Sequence, residues 1–283
     1  MGRPVRTAKT RSTRRTLSPM DAEVRNLRLA TGITVPCLVH GSADSPPLLL
    51  LHAWGESRRS FDRLIPRLAG FRVYAPDLRG QGDADKPAYG YSLAEQAADA
   101  AAILDALNVQ RAFVLGSSSG GYVAQQLAVG HPGRVAALVL VGSPLSLRGR
   151  PAFTDEVDRL TDPIDEDWVR HSLSWFPLLH AVPRWFIEDR VQDGVRMPAH
   201  AWKRILEGLC AATPPTESGT IHAPTLILWG AHDGLLPRRH QEALAARIAG
   251  AELKVYPAVA HLVLWECPDQ VAADATKFLS SVG

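Results

Sequence analysis

Short, unbroken apolar runs alternate with longer amphipathic segments along most of this chain, and that alternation restricts the fold more than any other feature. Pro47–Leu51 and Val135–Val141 have no polar break, the pattern of strands buried on both faces. Segments of helical period lie between such runs. Residues 92–107 place Leu93, Ala97, Ala101 and Leu104 on one face, and Ser92 with Glu95 three positions on makes a capping box. Strands that alternate with amphipathic helices predict an α/β fold around a mostly parallel sheet. Residues 23–30 and 33–40 read as a hairpin about Thr31-Gly32. Residues 57–68 read as a helix and 71–75 as a strand, and strand 112–115 leads into helix 119–129.

The alternation stops after the run at 135–141. Residues 147–213 carry no convincing strand, are helical in pattern, and hold four of the seven tryptophans: Trp168, Trp175, Trp185 and Trp202. It resumes with strand 224–229, helix 237–248, strand 252–256 and helix 268–279. The division this implies is a tail (1–19), a first part of the α/β body (20–146), a helical cap insertion (147–213) and a second part of the body (214–283).

Charge separates the tail from the rest. Residues 1–19 hold six basic residues and no acid, so 25 of the 31 basic residues remain against all 29 acidic ones. The body is mildly acidic, which argues against a nucleic-acid partner, and the polar tail is expected to be disordered. Arg14-Arg15 invites a twin-arginine reading, but the polar run Ser18-Pro19-Met20-Asp21-Ala22-Glu23 follows where an apolar stretch is needed. No apolar run approaches the length of a membrane span. Cys37, Cys210 and Cys267 are odd in number and match no metal-site spacing, so neither a disulfide framework nor a metal is expected. These features suit a cytoplasmic protein, and leave monomer against homodimer open.

Phe113-Val114-Leu115-Gly116-Ser117-Ser118-Ser119-Gly120-Gly121 reads as a strand, a tight turn and a helix. A nucleophile on a sharp strand-to-helix turn needs small residues two before and two after it, because the backbone crowds there. Ser117 fails, with Leu115 at the first of those positions. Ser119 fits loosely, between Ser117 and Gly121. Ser118, between Gly116 and Gly120, fits best.

With this turn in view, the chain resembles the α/β-hydrolase fold family over nearly everything after the tail. Leu50-Leu51-His52-Ala53-Trp54-Gly55 resembles the family's oxyanion loop. The segment from Ala75-Pro76-Asp77-Leu78-Arg79-Gly80 to Lys86-Pro87 resembles the loop after its fourth strand. Leu226-Ile227-Leu228-Trp229-Gly230-Ala231-His232-Asp233 resembles the strand that presents the acid, and Ala260-His261 with Trp265-Glu266 resembles the histidine loop. The resemblance implies a central sheet of about eight strands flanked by helices, with a helical cap. It implies Ser118 as nucleophile, His261 as general base and Asp233 as the acid that orients it, in the family order Ser, Asp, His. The backbone N–H groups of Trp54 and Ser119 would form the oxyanion hole. Ala53 stands where the family usually has glycine, which would strain the loop if that position needs a positive φ. His52, Asp77, Arg79 and Glu266 read as loop-bracing residues. Trp54, Trp175, Phe176, Trp185 and Leu262, with Phe186, would line an apolar substrate pocket.

The implied reaction is cofactor-free hydrolysis of a carboxylic ester or lactone, the substrate being a small to medium, partly apolar molecule. Perhydrolase or haloperoxidase chemistry, or carbon–carbon hydrolysis, on the same three residues is the alternative. Leu262 lowers the last, because ring-cleavage-product hydrolases usually carry tryptophan straight after the histidine. A serine at 118 argues against dehalogenase and epoxide-hydrolase chemistry, and the unbroken set argues against a non-catalytic small-molecule receptor. Deleting residues 1–19 is expected to leave ester turnover unchanged, because the tail precedes the first strand. Comparing kcat/KM of the full and shortened chains checks this, and a loss of activity contradicts it.

Overall fold

The computed structural model describes residues 22–283; the basic tail lies outside them. The strands are β1 (Ala22–Arg28), β2 (Thr34–His40), β3 (Pro47–Leu51), β4 (Arg72–Pro76), β5 (Ala112–Ser117), β6 (Val135–Val141), β7 (Thr225–Gly230) and β8 (Glu252–Tyr256). They form one eight-stranded sheet in the order β1-β2-β4-β3-β5-β6-β7-β8. The β1–β2 and β2–β4 pairs are antiparallel, and every neighbour from β4 to β8 is parallel.

The unbroken leucines of β3 divide between two cores, as alternation along a strand requires. Leu49 and Leu51 join the core on one face, with Val114, Leu138, Leu140 and Ile227. Leu48 and Leu50 join the other, with Leu115, Val139, Val141, Leu226 and Leu228. The helices α1 (Leu93–Ala106) and α2 (Ser119–Gly130) cover the first face with Leu93, Ala97, Leu104, Val123 and Leu127. The Ser92–Glu95 capping box starts α1.

Residues 57–68 are two short 3₁₀ turns, Arg58–Phe61 and Ile65–Arg67, rather than one helix. Pro66 has no N–H for the α-helical ladder, so the segment closes as separate turns. The segment still buries Phe61, Leu64 and Ile65 against the second face.

Between β6 and β7 come α3 (Thr154–Asp158), α4 (Glu166–Ser172), α5 (Arg184–Val195), α6 (Ala199–Ala211) and the single turn α7 (Pro215–Ser218). Val157, Val169, Val191, Trp202, Ile205 and Leu209 of this insertion belong to the first core. After β7 the chain forms α8 (Arg238–Arg247), the turn α9 (Val263–Glu266) and α10 (Pro268–Val282). From α10, Val271, Ala275, Phe278 and Leu279 cover the second face. Among the described residues no helix is long and apolar enough to cross a membrane.

The loop after β4 is tied to α1 by a bidentate ion pair. Arg79 Nε and Nη2 each lie 2.7 Å from an oxygen of Asp99, and both residues are buried. Removing one partner would strand a buried charge. Asp99→Ala is therefore expected to lower stability by about 3–5 kcal/mol, read as a shifted denaturant midpoint at unchanged slope; a change within about 0.5 kcal/mol contradicts it.

Candidate active site

The turn from β5 into α2 is strained at one residue. Among the described residues, Ser118 (φ +47°) and Asn108 are the non-glycine positions with positive φ. Such a conformation persists only where the surroundings enforce it. The Ser118 N–H donates to Val141 O at 2.8 Å, pinning the turn to the end of β6. A Cβ on Gly116 would come within 2.5 Å of Gly120 O, and one on Gly120 would collide with the carbonyl oxygens of Leu51 and His52. Only glycine fits on either side, and the Ser118 side chain is thereby raised at the carboxyl edge of the sheet.

There Ser118 Oγ lies 3.0 Å from His261 Nε2. His261 follows β8 in a loop closed by α9, and its Nδ1 lies 2.7 Å from Asp233 Oδ2. Asp233, just after β7, is fixed in turn, because its Oδ1 accepts from Leu235 N at 2.9 Å and Leu236 N at 2.8 Å. That leaves Oδ2 for the histidine. With Nδ1–H donating to the carboxylate, the Nε2 lone pair faces the serine hydroxyl, an arrangement able to take a proton from Ser118. Asp233 and His261 are both buried.

Ala53 does not have a positive φ; the turn's left-handed residue is Gly55, at +78°. The alanine therefore leaves this loop unstrained. His52 is fully buried and bridges two loops. Its Nε2 accepts from Leu78 N at 2.9 Å, and its Nδ1 is 2.8 Å from Ala53 O. A backbone N–H can only donate, so Nε2 must carry the lone pair, Nδ1 donates to Ala53 O, and the ring is neutral. Burial pushes its pKa down, only partly countered by Asp77. The Trp54 N–H donates to Ser119 Oγ at 2.7 Å.

A cavity of about 100 Å³ opens over Ser118, lined by Trp54, Trp175, Phe176, Leu262 and His261 among others. Trp185 does not line it. Its ring meets Phe186 edge-on at 5.6 Å, and Phe186 meets Trp265 at 5.4 Å, so both turn toward the second core. Phe153 and Trp202 take the place assumed for them. Phe153 stacks on Trp175 at 4.6 Å and on Trp54 at 6.0 Å, and Trp202 meets Trp54 edge-on at 4.9 Å. The spacing of Trp202, Ile205, Leu206 and Leu209 on α6 marks an inward face in the sequence. Nothing around Phe153 does so. Phe176 lies 5.3 Å from the His261 ring, between centroids.

Charged residues hold the insertion to the body. Asp193 of α5, buried, accepts from Ser57 Oγ at 2.6 Å and pairs with Arg190 at 2.7 Å and Arg196 at 2.5 Å. Arg190 also donates to Ser60 Oγ at 3.1 Å and reaches the cavity wall. Glu266 accepts from Leu179 N and His180 N, both at 2.8 Å, and from Ala260 N at 3.2 Å, joining the insertion to the histidine loop. Asp77 holds Arg58 N and Asp83 N, both at 2.7 Å, and does not line the cavity. Among the described residues no group of three or more His, Cys, Asp or Glu is placed to hold a metal ion.

Comparison with known proteins agrees with this architecture. The family model described as alpha/beta hydrolase fold matches residues 46–185. A pimeloyl-acyl-carrier-protein methyl ester esterase from Neisseria meningitidis is 31% identical, the match covering 75% of this chain and 84% of the relative. A 2-hydroxymuconate semialdehyde hydrolase from a Pseudomonas strain is 30% identical over 87% of this chain and 88% of its own. The crystal structure of a hydrolase from Pseudomonas aeruginosa superposes with a TM-score of 0.80 at 30% identity, covering 90% of this chain and 98% of that one.

The neutral, buried His52 makes stability depend on pH in one direction. Its pKa is lower in the folded chain than the ordinary value of 6.5, so below that value the unfolded chain binds more protons. Its contribution is complete above about pH 6.5 and falls away as pH drops toward the lowered folded value. His52→Asn is expected to lose stability at pH 8 and to show a shallower decline than wild type from pH 6.5 to 5. Parallel urea titrations measure this, and equal slopes in the two proteins contradict it.

Proposed function

Because the chain belongs to the α/β-hydrolase fold family, we propose that it is a serine hydrolase that cleaves a carboxylic ester or lactone through an acyl-enzyme. Ser118 is the nucleophile, His261 the general base and Asp233 the acid that orients it. The observation that carries this reading is the unbroken hydrogen-bonded line from Ser118 Oγ through His261 to Asp233, opening into an aromatic-walled cavity.

Attack forms a bond from Ser118 Oγ to the carbonyl carbon as its proton passes to His261 Nε2. The π pair of the carbonyl moves onto oxygen. The developing negative charge meets the Ser119 N–H at the start of α2, where free donors and the helix dipole favour an anion. The Asp233 carboxylate stabilises the imidazolium while it exists. Collapse expels the alkoxide, which takes the proton from His261 Nε2. Water then repeats the sequence on the acyl-enzyme, and its proton passes through His261 to the departing Ser118 oxygen. In a lactone the alkoxide stays attached to the acyl group.

The cavity supports a compact acyl group. A space of about 100 Å³ walled by Trp54, Phe153, Trp175, Phe176 and Leu262 suits a compact, apolar acyl chain. The methyl ester esterase relative is consistent with ester chemistry at such a site.

A fluorophosphonate is expected to label the chain once, at Ser118, and Ser118→Ala to lose more than about 10³-fold in kcat toward p-nitrophenyl esters. Across acyl lengths from acetate to dodecanoate, kcat/KM should peak at short to medium chains. Label on Ser119, or turnover that survives in Ser118→Ala, removes the reading.

A further inference from the structure

We propose that the Ser119 hydroxyl is itself an oxyanion donor, so that the N–H of Trp54 acts through this hydroxyl rather than directly on substrate; this rests on the ester-hydrolase reading above. The two backbone donors that should meet a carbonyl oxygen are those of Ser119 and Trp54. In the structure the second is occupied. Trp54 N lies 2.7 Å from Ser119 Oγ, and since a backbone N–H only donates, the hydroxyl oxygen is the acceptor.

That contact determines what the hydroxyl can do next. It carries one proton, and among the described residues' hydrogen bonds no acceptor takes it. The proton cannot point at Trp54 N, which is itself a donor. Ser119 is the first residue of α2, next to Ser118, and both lie in the cavity wall with Trp54. An oxygen arriving between Ser118 and the helix start therefore meets two donors from one residue, the Ser119 N–H and its O–H.

Two outcomes are open to an incoming carbonyl oxygen. It displaces the hydroxyl from Trp54 N, breaking a partly buried hydrogen bond, or it accepts the hydroxyl proton and leaves that bond intact. The second loses nothing. A hydroxyl that already accepts a hydrogen bond is also the better donor, because linked hydrogen bonds polarise one another. As Ser118 Oγ bonds to carbon and the π pair moves to oxygen, the hydrogen bond from Ser119 Oγ becomes charge-assisted and strengthens. No proton transfers from Ser119. A donor that gains strength as the charge develops favours the transition state over bound substrate, so it acts on kcat rather than on KM.

The test uses the full chain as wild type, Ser119→Ala and Ser119→Cys, with p-nitrophenyl butyrate as substrate and an alkyl trifluoromethyl ketone as an inhibitor that forms the tetrahedral adduct. Ser119→Ala is expected to lower kcat about 10- to 100-fold with KM within about threefold. The ketone's Ki should rise by the factor that kcat/KM falls. Ser119→Cys, a poorer donor of nearly the same shape, should lie between the two, and it carries the test if the alanine variant fails to fold. If kcat stays within twofold of wild type or rises, the hydroxyl merely plugs the Trp54 N–H, and the proposal is overturned. If kcat falls while Ki does not move, the hydroxyl only braces the loop, which overturns it equally. Absence of wild-type turnover, or labelling away from Ser118, instead marks failure of the underlying ester-hydrolase reading.

Discussion

The approach of the β5–α2 turn to the end of β3 is the constraint on which the site depends. At Gly120 the backbone passes so close to the carbonyls of Leu51 and His52 that no side chain fits between them. This contact holds the start of α2 against the loop that carries Trp54, and it accompanies the positive φ of Ser118. The strain there is held by hydrogen bonds on both sides: Ser118 N to Val141 O, and Trp54 N to Ser119 Oγ. The hydroxyl proposed as nucleophile and the donors proposed to meet its oxyanion thus share one rigid corner, which is the condition for electrostatic preorganisation.

The insertion is not a loosely attached cover. Asp193 reaches down to Ser57 in the segment after the Trp54 loop, and Glu266 reaches up to the backbone at Leu179 and His180. One tie engages the Trp54 side of the cavity and the other the His261 side. Trp202 and Trp54 add an aromatic contact between them, reinforced by Trp54 Nε1 donating to Trp202 O at 3.2 Å. A displacement of the insertion would therefore reach both halves of the site, because buried charged groups tolerate little loss of their partners.

Much of this was legible in the chain. The parallel sheet follows from continuous apolar runs, since only strands covered on both faces need them. Ser118 stood out from its neighbours because crowding at a strand-to-helix turn admits only small flanking residues. Other features were not legible, for reasons of geometry. The residues at 57–68 have helical spacing, but Pro66 divides them. Helical spacing marks Trp202 as inward-facing, but not that it walls the cavity while Trp185 packs toward the second core. Ala53 would be strained only if its own position needed a positive φ, and that conformation falls two residues later, at Gly55.

The sequence by itself determined the layered α/β architecture, the order of its strands and the serine that best fits the turn between small neighbours. These are local properties, expressed in hydrophobic period and residue size along a short stretch of chain. Tertiary structure decided which aromatic rings face the cavity, that His52 is held neutral between two loops, and that the Trp54 N–H ends on the Ser119 hydroxyl. Each of these depends on groups far apart in the chain, 65 positions in the last case, and no local pattern encodes the direction in which a side chain meets a partner that distant.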